Sequence, residues 1–456
     1  MGGFQLRRLL IIPLLLLSLT LGATTYYIAP TGNNSTGNGS IGSPYLSLAT
    51  PWALVSAGDT IYVRGGTYAY TTSNTLSNKG GTADSLICIL NYPGEIPVFD
   101  YSGGVPYTSQ RNGFSITNVS YLKIRGIRVT GITQPVAGNI AMYGMILWDN
   151  VTHSIFELME FDHIGGWGVT IGNNCSDLLF LNCDSHHNAD PYTSGGNPAY
   201  GWADGFQTGS TTSTDITFQG CRAWSNSDDG WDFRGANGIY TLINCWSFRN
   251  GFIPDTWDEA GNGVGFKMGG KSTESTTDIL RHVNNCVAFE NRMIGFNLGA
   301  ADANKCLGAE FYHCTAYNNY QGFNVNSYTN NADIKNSISY DNSGGNYYGN
   351  AYTTVSACSW SGFTVTDGDF VSLDTTGVSG ARQADGSLPI LTFLHLVDGS
   401  DLKDAGTAVG VNTDADGTPR GYLPDIGAYE YEDIRIGTIG GKAKTLGGGN
   451  VVIIRK

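Results

Sequence analysis

A seven-residue pattern recurs through the middle of the chain. It reads NCDSHHN (182–188), GCRAWSN (220–226), NCWSFRN (244–250), NCVAFEN (285–291) and HCTAYNN (313–319), and NSISYDN (336–342) is a sixth copy with Ser in place of Cys. One column holds Cys183, Cys221, Cys245, Cys286 and Cys314; the other holds Asn188, Asn226, Asn250, Asn291, Asn319 and Asn342. A Gly-aromatic pair follows each of the first five copies: Gly205-Phe206, Gly230-Trp231, Gly265-Phe266, Gly295-Phe296 and Gly322-Phe323, spaced 25, 35, 30 and 27 residues apart. Gly166-Trp167 reads as an earlier copy.

The segments between are short, alternate apolar with polar residues and are rich in Val, Ile, Thr and Phe, which predicts strands. A period of about 20 to 50 residues built from short strands means a solenoid or a propeller. The asparagine column favours the solenoid. Equivalent Asn side chains form a hydrogen-bonded ladder when coils stack in parallel at about 4.8 Å, and Asn tolerates the left-handed backbone of tight turns. The chain is therefore expected to be all-β, a single-domain parallel β-helix. The cysteine column then becomes a stack of small residues inside, either as inert thiols or as disulfides between coils. The chain has nine cysteines and no C-x-x-C pair, which argues against a zinc site.

The ends carry different signals. Arg7 and Arg8 precede an apolar run from Leu9 to Leu21, followed by small residues through Ala23. Residues 1–23 have the layout of a secretory signal peptide, and the mature protein is expected to be secreted and free of the membrane. Residues 24–100 read as an N-terminal cap and first coils, with a short helix near Leu48–Val55. Residues 101–345 read as the core, and 346–432 as last coils and a C-terminal cap closed by DIGAYEYE (425–432). A basic, Gly-rich tail, 433–456, has no assigned role. With 25 Lys and Arg against 39 Asp and Glu, the net charge is −14, which excludes nucleic acid as a natural partner. A monomer is expected.

Only 14% of the chain is charged, yet SNSDDGWDF (225–233) places three aspartates within five positions. Aligning the Gly-aromatic pairs stacks Asp204 on Asp229, sets Asp228 and Asp232 beside that pair, and puts Lys267 one coil beyond Asp232. Four converging carboxylates repel one another unless a cation is held among them. A set of hard oxygen donors suits Ca²⁺. Asp is also common in solvated turns, and Lys267 also reads as an ion-pair partner of Asp232. The sharper reading makes Lys267 a general base beside Ca²⁺, suited to removing the proton α to a uronate carboxylate. Loss of the 4-linked sugar then gives β-elimination. Strict strand alternation would put Asp229 and Trp231 on one face, unless Gly230 marks a bend.

The arrangement Asp204, Asp228-Asp229, Asp232 and Lys267 resembles that of the pectate lyases of polysaccharide lyase family 9. The resemblance implies a right-handed parallel β-helix with an Asn ladder that cleaves polygalacturonate. It makes Asp204, Asp228, Asp229 and Asp232 the Ca²⁺ ligands and Lys267 the Brønsted base. Arg234, Arg249 and Arg292 lie near the patch in sequence without an assigned role. Two other readings compete. A polygalacturonase-type hydrolase would use paired acids. A carbohydrate-binding or cell-surface β-helix would bind without turnover.

Overall fold

Each turn of the chain must reverse direction within a few residues, and left-handed backbone makes this possible. The computed structural model describes residues 22–104, 109–135, 139–194, 199–270, 276, 278–299, 307–326 and 331–431. Within them His187, Ser225, Arg249, Glu290, Asn318 and Asp341 have φ between 50° and 55°. Each immediately precedes a ladder asparagine. A second left-handed column, Asn182, Gly220, Asn244, Asn285, His313 and Asn336, immediately precedes the cysteine column. The ladder asparagines themselves are not left-handed. Their side chains do other work.

The ladder is continuous. The side-chain amide of each asparagine donates to the side-chain oxygen of the next: Asn188 to Asn226 at 2.8 Å, Asn226 to Asn250 at 3.0 Å, Asn250 to Asn291 at 2.9 Å, Asn291 to Asn319 at 3.0 Å and Asn319 to Asn342 at 3.1 Å. All six are buried. Each such bond contributes about 1 kcal/mol net, and leaving one of these buried groups unpaired costs more.

The strands fall into three rows, paired in parallel from coil to coil. One row includes Trp167–Asn173, Phe206–Thr208, Trp231–Asp232, Phe266–Lys267, Ile294–Asn297 and Gln321–Asn324. The second includes Ser176–Leu181, Thr214–Gln219, Tyr240–Ile243 and Ile279–Asn284. The third is a ten-strand sheet running from Gly66–Ala69 to Ile338–Tyr340. This is a parallel β-helix, as expected. One core of buried residues fills it from Ile28 to Cys358. The described cysteines are free thiols, so the column holds no disulfide among the described residues. The Sγ of Cys183 donates to the Phe156 carbonyl oxygen at 3.2 Å and that of Cys221 to Phe180 at 3.3 Å, both one coil back.

The Gly-aromatic column is explained by contact distances. The aromatic ring points inward and stacks on its neighbours, with Phe206–Trp231 at 5.0 Å, Trp231–Phe266 at 4.8 Å and Phe266–Phe296 at 5.0 Å between centroids. A Cβ on Gly230 would lie 2.1 Å from Ser247 Oγ and 2.6 Å from the Gly265 carbonyl oxygen, so only glycine lets adjacent coils approach. One expected copy is out of register. Val169, not Trp167, pairs with Phe206, so Gly168 occupies the column two residues beyond Gly166. Trp167 instead points outward.

The predicted N-terminal helix is present as Ala49–Leu54, with Pro51 and Trp52 buried. Lys79 Nζ donates to the carbonyl oxygens of Ala53 and Val55 at its end. The segment expected to close the other end does something else. Its Ile426, Ala428 and Tyr429 join Phe370, Phe393 and Leu402 in a second apolar cluster against Trp246, Phe248 and Phe289. The Ala428 N–H donates to Thr315 Oγ1 at 3.1 Å. DIGAYEYE is therefore laid along the flank of the ten-strand sheet, because that sheet carries apolar side chains on its outer face that need cover. The signal segment through residue 21 and the tail 433–456 lie outside the described residues.

Candidate active site

Outward-facing positions on the row that carries Trp231–Asp232 form a single column. In register from coil to coil it reads Thr170, Gln207, Asp232, Lys267, Asn297 and Asn324. Asp232 and Lys267, 35 residues apart in sequence, are thus direct neighbours. Lys267 Nζ donates to Asp232 Oδ2 at 2.7 Å and to Asp229 Oδ2 at 2.7 Å.

Asp229 does not share a face with Trp231. It sits in the bend before the strand, and the alternation begins after Gly230. Its carboxylate points along the stack, where Oδ1 accepts the Val264 N–H at 2.7 Å. One coil back, Asp204 Oδ1 accepts the Asp229 N–H at 3.0 Å. Carboxylate oxygens of Asp204, Asp229 and Asp232 all lie within 4.8 Å of one another. Asp228 is not brought into that group. Its Oδ1 accepts the Asn262 N–H, which anchors the returning end of the long excursion 251–264 beside the site. Asp228 still adds charge, being buried beside Asp204 and Asp229.

The electrostatics are unbalanced. Burial, reinforced by the charges of Asp228, Asp232 and Asp229, pushes the Asp204 carboxyl well above the usual range. Burial and the neighbouring Asp229 charge do the same to Asp228. Asp229 is also raised by burial, although Lys267 opposes the shift. Burial by itself would lower Lys267, but Asp229, Asp232, Asp204 and Asp228 outweigh it and hold the ammonium well above the normal lysine value. Four acidic groups face one cation. An all-oxygen nest with excess negative charge, three of its carboxylates within reach of one point, fits a hard divalent cation.

Three residues that position the site were not singled out in the sequence. The Trp167 indole N–H donates to Asp204 Oδ2 at 3.1 Å. Asp190, fully buried, accepts the N–H groups of Trp202 and Ala203 at 3.1 Å each, and so ties down the two residues that immediately precede Asp204. Asn262 holds Asp228 as described. A Trp two residues out of the expected register was the one available signal; Asp190 and Asn262 lie in excursions that carry no repeat column.

Beside Lys267 opens a cleft of about 380 Å³, walled by Asn262, Val264, Ile294 and Asn297. A larger cavity of about 620 Å³ lies elsewhere, around His163, His187 and Tyr192, and does not include the acidic group.

The Asn-laddered stack, with a lysine held among buried carboxylates beside an open cleft, is a parallel β-helix with a candidate site on one face, and comparison with known proteins makes it a polysaccharide lyase. The family described as the Pel9A-like right-handed β-helix region matches residues 26–321. Pectate lyase L of Dickeya dadantii (strain 3937) is 33% identical over 433 residues, covering 90% of this chain and 92% of that protein. The crystal structure of pectate lyase Pel9A superposes with a TM-score of 0.73 at 29% identity, covering 90% of this chain and 97% of that one. A rhamnogalacturonan lyase structure follows with a TM-score of 0.65 at 27% identity, covering 82% of this chain and 97% of that one. The chain belongs to the Pel9A-like right-handed β-helix family, and with it to the pectate lyase-like polysaccharide lyases.

Proposed function

We propose that the protein is a secreted, Ca²⁺-assisted lyase of a uronic-acid polymer, polygalacturonate first among them, with Lys267 as the base. The observation that carries this reading is the position of Lys267 Nζ, 2.7 Å from both Asp229 and Asp232 at the edge of an open cleft. In this reading Asp204, Asp229 and Asp232 hold the cation and Asp228 contributes the fourth negative charge beside them. When bound, Ca²⁺ supplies positive charge to the substrate carboxylate and to the enediolate that develops from it.

Lys267 takes the proton from C5 of the uronate. The electron pair of that C–H bond forms the C4–C5 double bond, the C4–O bond breaks with its electron pair leaving on the sugar oxygen, and that oxygen takes a proton from solvent water. For this the lysine must be neutral. While Asp229 and Asp232 accept its hydrogen bonds it remains an ammonium, so base function requires those carboxylates to be neutralised by another cation. A monomer acting outside the cell completes the reading. The apolar run after Arg7-Arg8 supports export, and no helix among the described residues is long and apolar enough to cross a membrane.

The test is ultraviolet absorbance of an unsaturated product during incubation with polygalacturonate, first with Ca²⁺ and then with a chelator. A Ca²⁺-dependent rise supports the reading. A rise on rhamnogalacturonan alone would reassign the substrate, as the likeness to a rhamnogalacturonan lyase allows. Saturated ends that form despite chelation would mean a hydrolase, and binding without turnover a lectin-like module.

A further inference from the structure

The three arginines near the acidic patch in sequence have separate fates in the fold. Arg249 turns away, pairing with Glu290 at 2.7 Å and donating to Thr375 Oγ1 at 2.9 Å. Arg292 is engaged by Glu259 at 3.2 Å and by the Gly261 carbonyl oxygen at 3.1 Å, where it braces the 251–264 excursion. Arg234 is different. Its backbone N–H donates to Asp232 Oδ1 at 2.7 Å, which ties its position to the acidic group. Its side chain is exposed, has no acidic partner among the described residues, and lines the same cleft as Lys267.

Charge accounting within that cleft isolates Arg234. The Lys267 charge is already matched by Asp229 and Asp232. The other polar walls, Asn262 and Asn297, are neutral amides. Arg234 is thus the cleft's one uncompensated cation among the described residues, on a protein of net charge −14. A guanidinium presents a planar fork that matches a carboxylate in two parallel hydrogen bonds, and a methyl ester offers it no charge.

We propose that Arg234 binds a second uronate carboxylate of the polymer, next to the sugar held at the acidic group, and so selects acid over methyl ester at that position. This rests on the lyase reading above and adds a substrate-binding residue to it.

The experiment compares the wild type with Arg234→Ala and Arg234→Lys on polygalacturonate preparations of stepwise increasing methyl esterification, in saturating Ca²⁺. For R234A the expected result is a KM raised about tenfold or more on the unesterified polymer, with kcat within about threefold. Its loss of kcat/KM with esterification should be shallower than that of the wild type, and R234K should recover part of the affinity. Thermal melting should not change, because the side chain is exposed. An R234A enzyme with wild-type KM overturns the proposal, as does a raised KM with an unaltered dependence on esterification. Should the wild type show no lyase activity, the lyase reading fails instead. Calorimetric binding of an unesterified oligogalacturonide then tests Arg234 directly, and equal affinity in R234A and wild type overturns it.

Discussion

The indole N–H of Trp167 donates to Asp204 Oδ2 at 3.1 Å, while its ring is stacked between Tyr143 and Trp202 at centroid distances of 5.2 and 5.5 Å. The stack fixes the ring, and the ring fixes a buried carboxylate. Groups that orient a metal ligand typically govern affinity by about 10- to 100-fold. Trp167→Phe keeps the stacking and removes the donor. Calcium affinity, followed by calorimetry, is expected to fall about tenfold with little change in the melting temperature of the metal-free protein. Unchanged affinity would make Trp167 a packing residue only.

Lys267→Ala separates catalysis from metal binding. Turnover of polygalacturonate is expected to fall by about 10² to 10⁴, the usual worth of a general base, while calcium affinity holds or rises because a competing cation has gone. The metal-free variant should melt at lower temperature than metal-free wild type, since Asp229 and Asp232 lose their partner. Retained turnover would remove Lys267 from the role of base.

The acidic group also contributes to how stability depends on pH. Asp204, Asp228 and Asp229 have folded-state pKa values raised above the ordinary carboxyl value near 4, so they bind protons more tightly in the native state. The stability this contributes is present at low pH and is lost as pH climbs through the raised values. Lys267 is raised too, and its contribution is lost only above the usual lysine value near 10. In chelator, these carboxylates should therefore make the melting temperature fall as pH climbs through their raised values, a fall that Asp204→Asn should reduce. The increase produced by calcium should grow over the same range, as the ligands give up their protons. A calcium-induced shift independent of pH would contradict this assignment of the carboxylates.

Asn250 lies in the middle of the ladder, accepting from Asn226 and donating to Asn291 Oδ1 at 2.9 Å and to the Ala223 carbonyl oxygen at 3.1 Å. Asn250→Ala leaves buried groups of two coils unpaired. A loss of about 2–4 kcal/mol in denaturant unfolding is expected. Gly230→Ala should be as damaging for a steric reason, since its methyl group would meet Ser247 and the next coil's backbone. A near-neutral result for either would mean that the coils can separate more easily than their close contacts imply.

The architecture was legible because stacking repeats a demand at every coil. Position after position needs a small residue over Cys245, an amide over Asn250 and no side chain over Gly230, so the columns surface in the sequence. The meeting of Asp204, Asp229, Asp232 and Lys267 followed from the same register. What escaped were contacts made off the columns. Trp167 was aligned two residues out of place, because the lengths of the connecting segments differ. Asp228 lies beside the other three, but its partner Asn262 was not foreseen, because it stands on an excursion that no repeat constrains. The C-terminal segment was expected at the end of the stack; its apolar residues, irregularly spaced, gave no sign that the flank of the ten-strand sheet needed them.

The 251–264 excursion leaves the stack between Asp232 and Lys267 and returns without disturbing their pairing in adjacent strands. Its returning end is not free: the N–H groups of Asn262 and Val264 hold Asp228 and Asp229. The outer part, from Phe252 to Glu259, carries no such bond to the acidic group among the described residues. That part can be lengthened, shortened or exchanged while the pairing of Asp232 with Lys267 stays in place, so the outer surface can be redesigned over a floor that does not move.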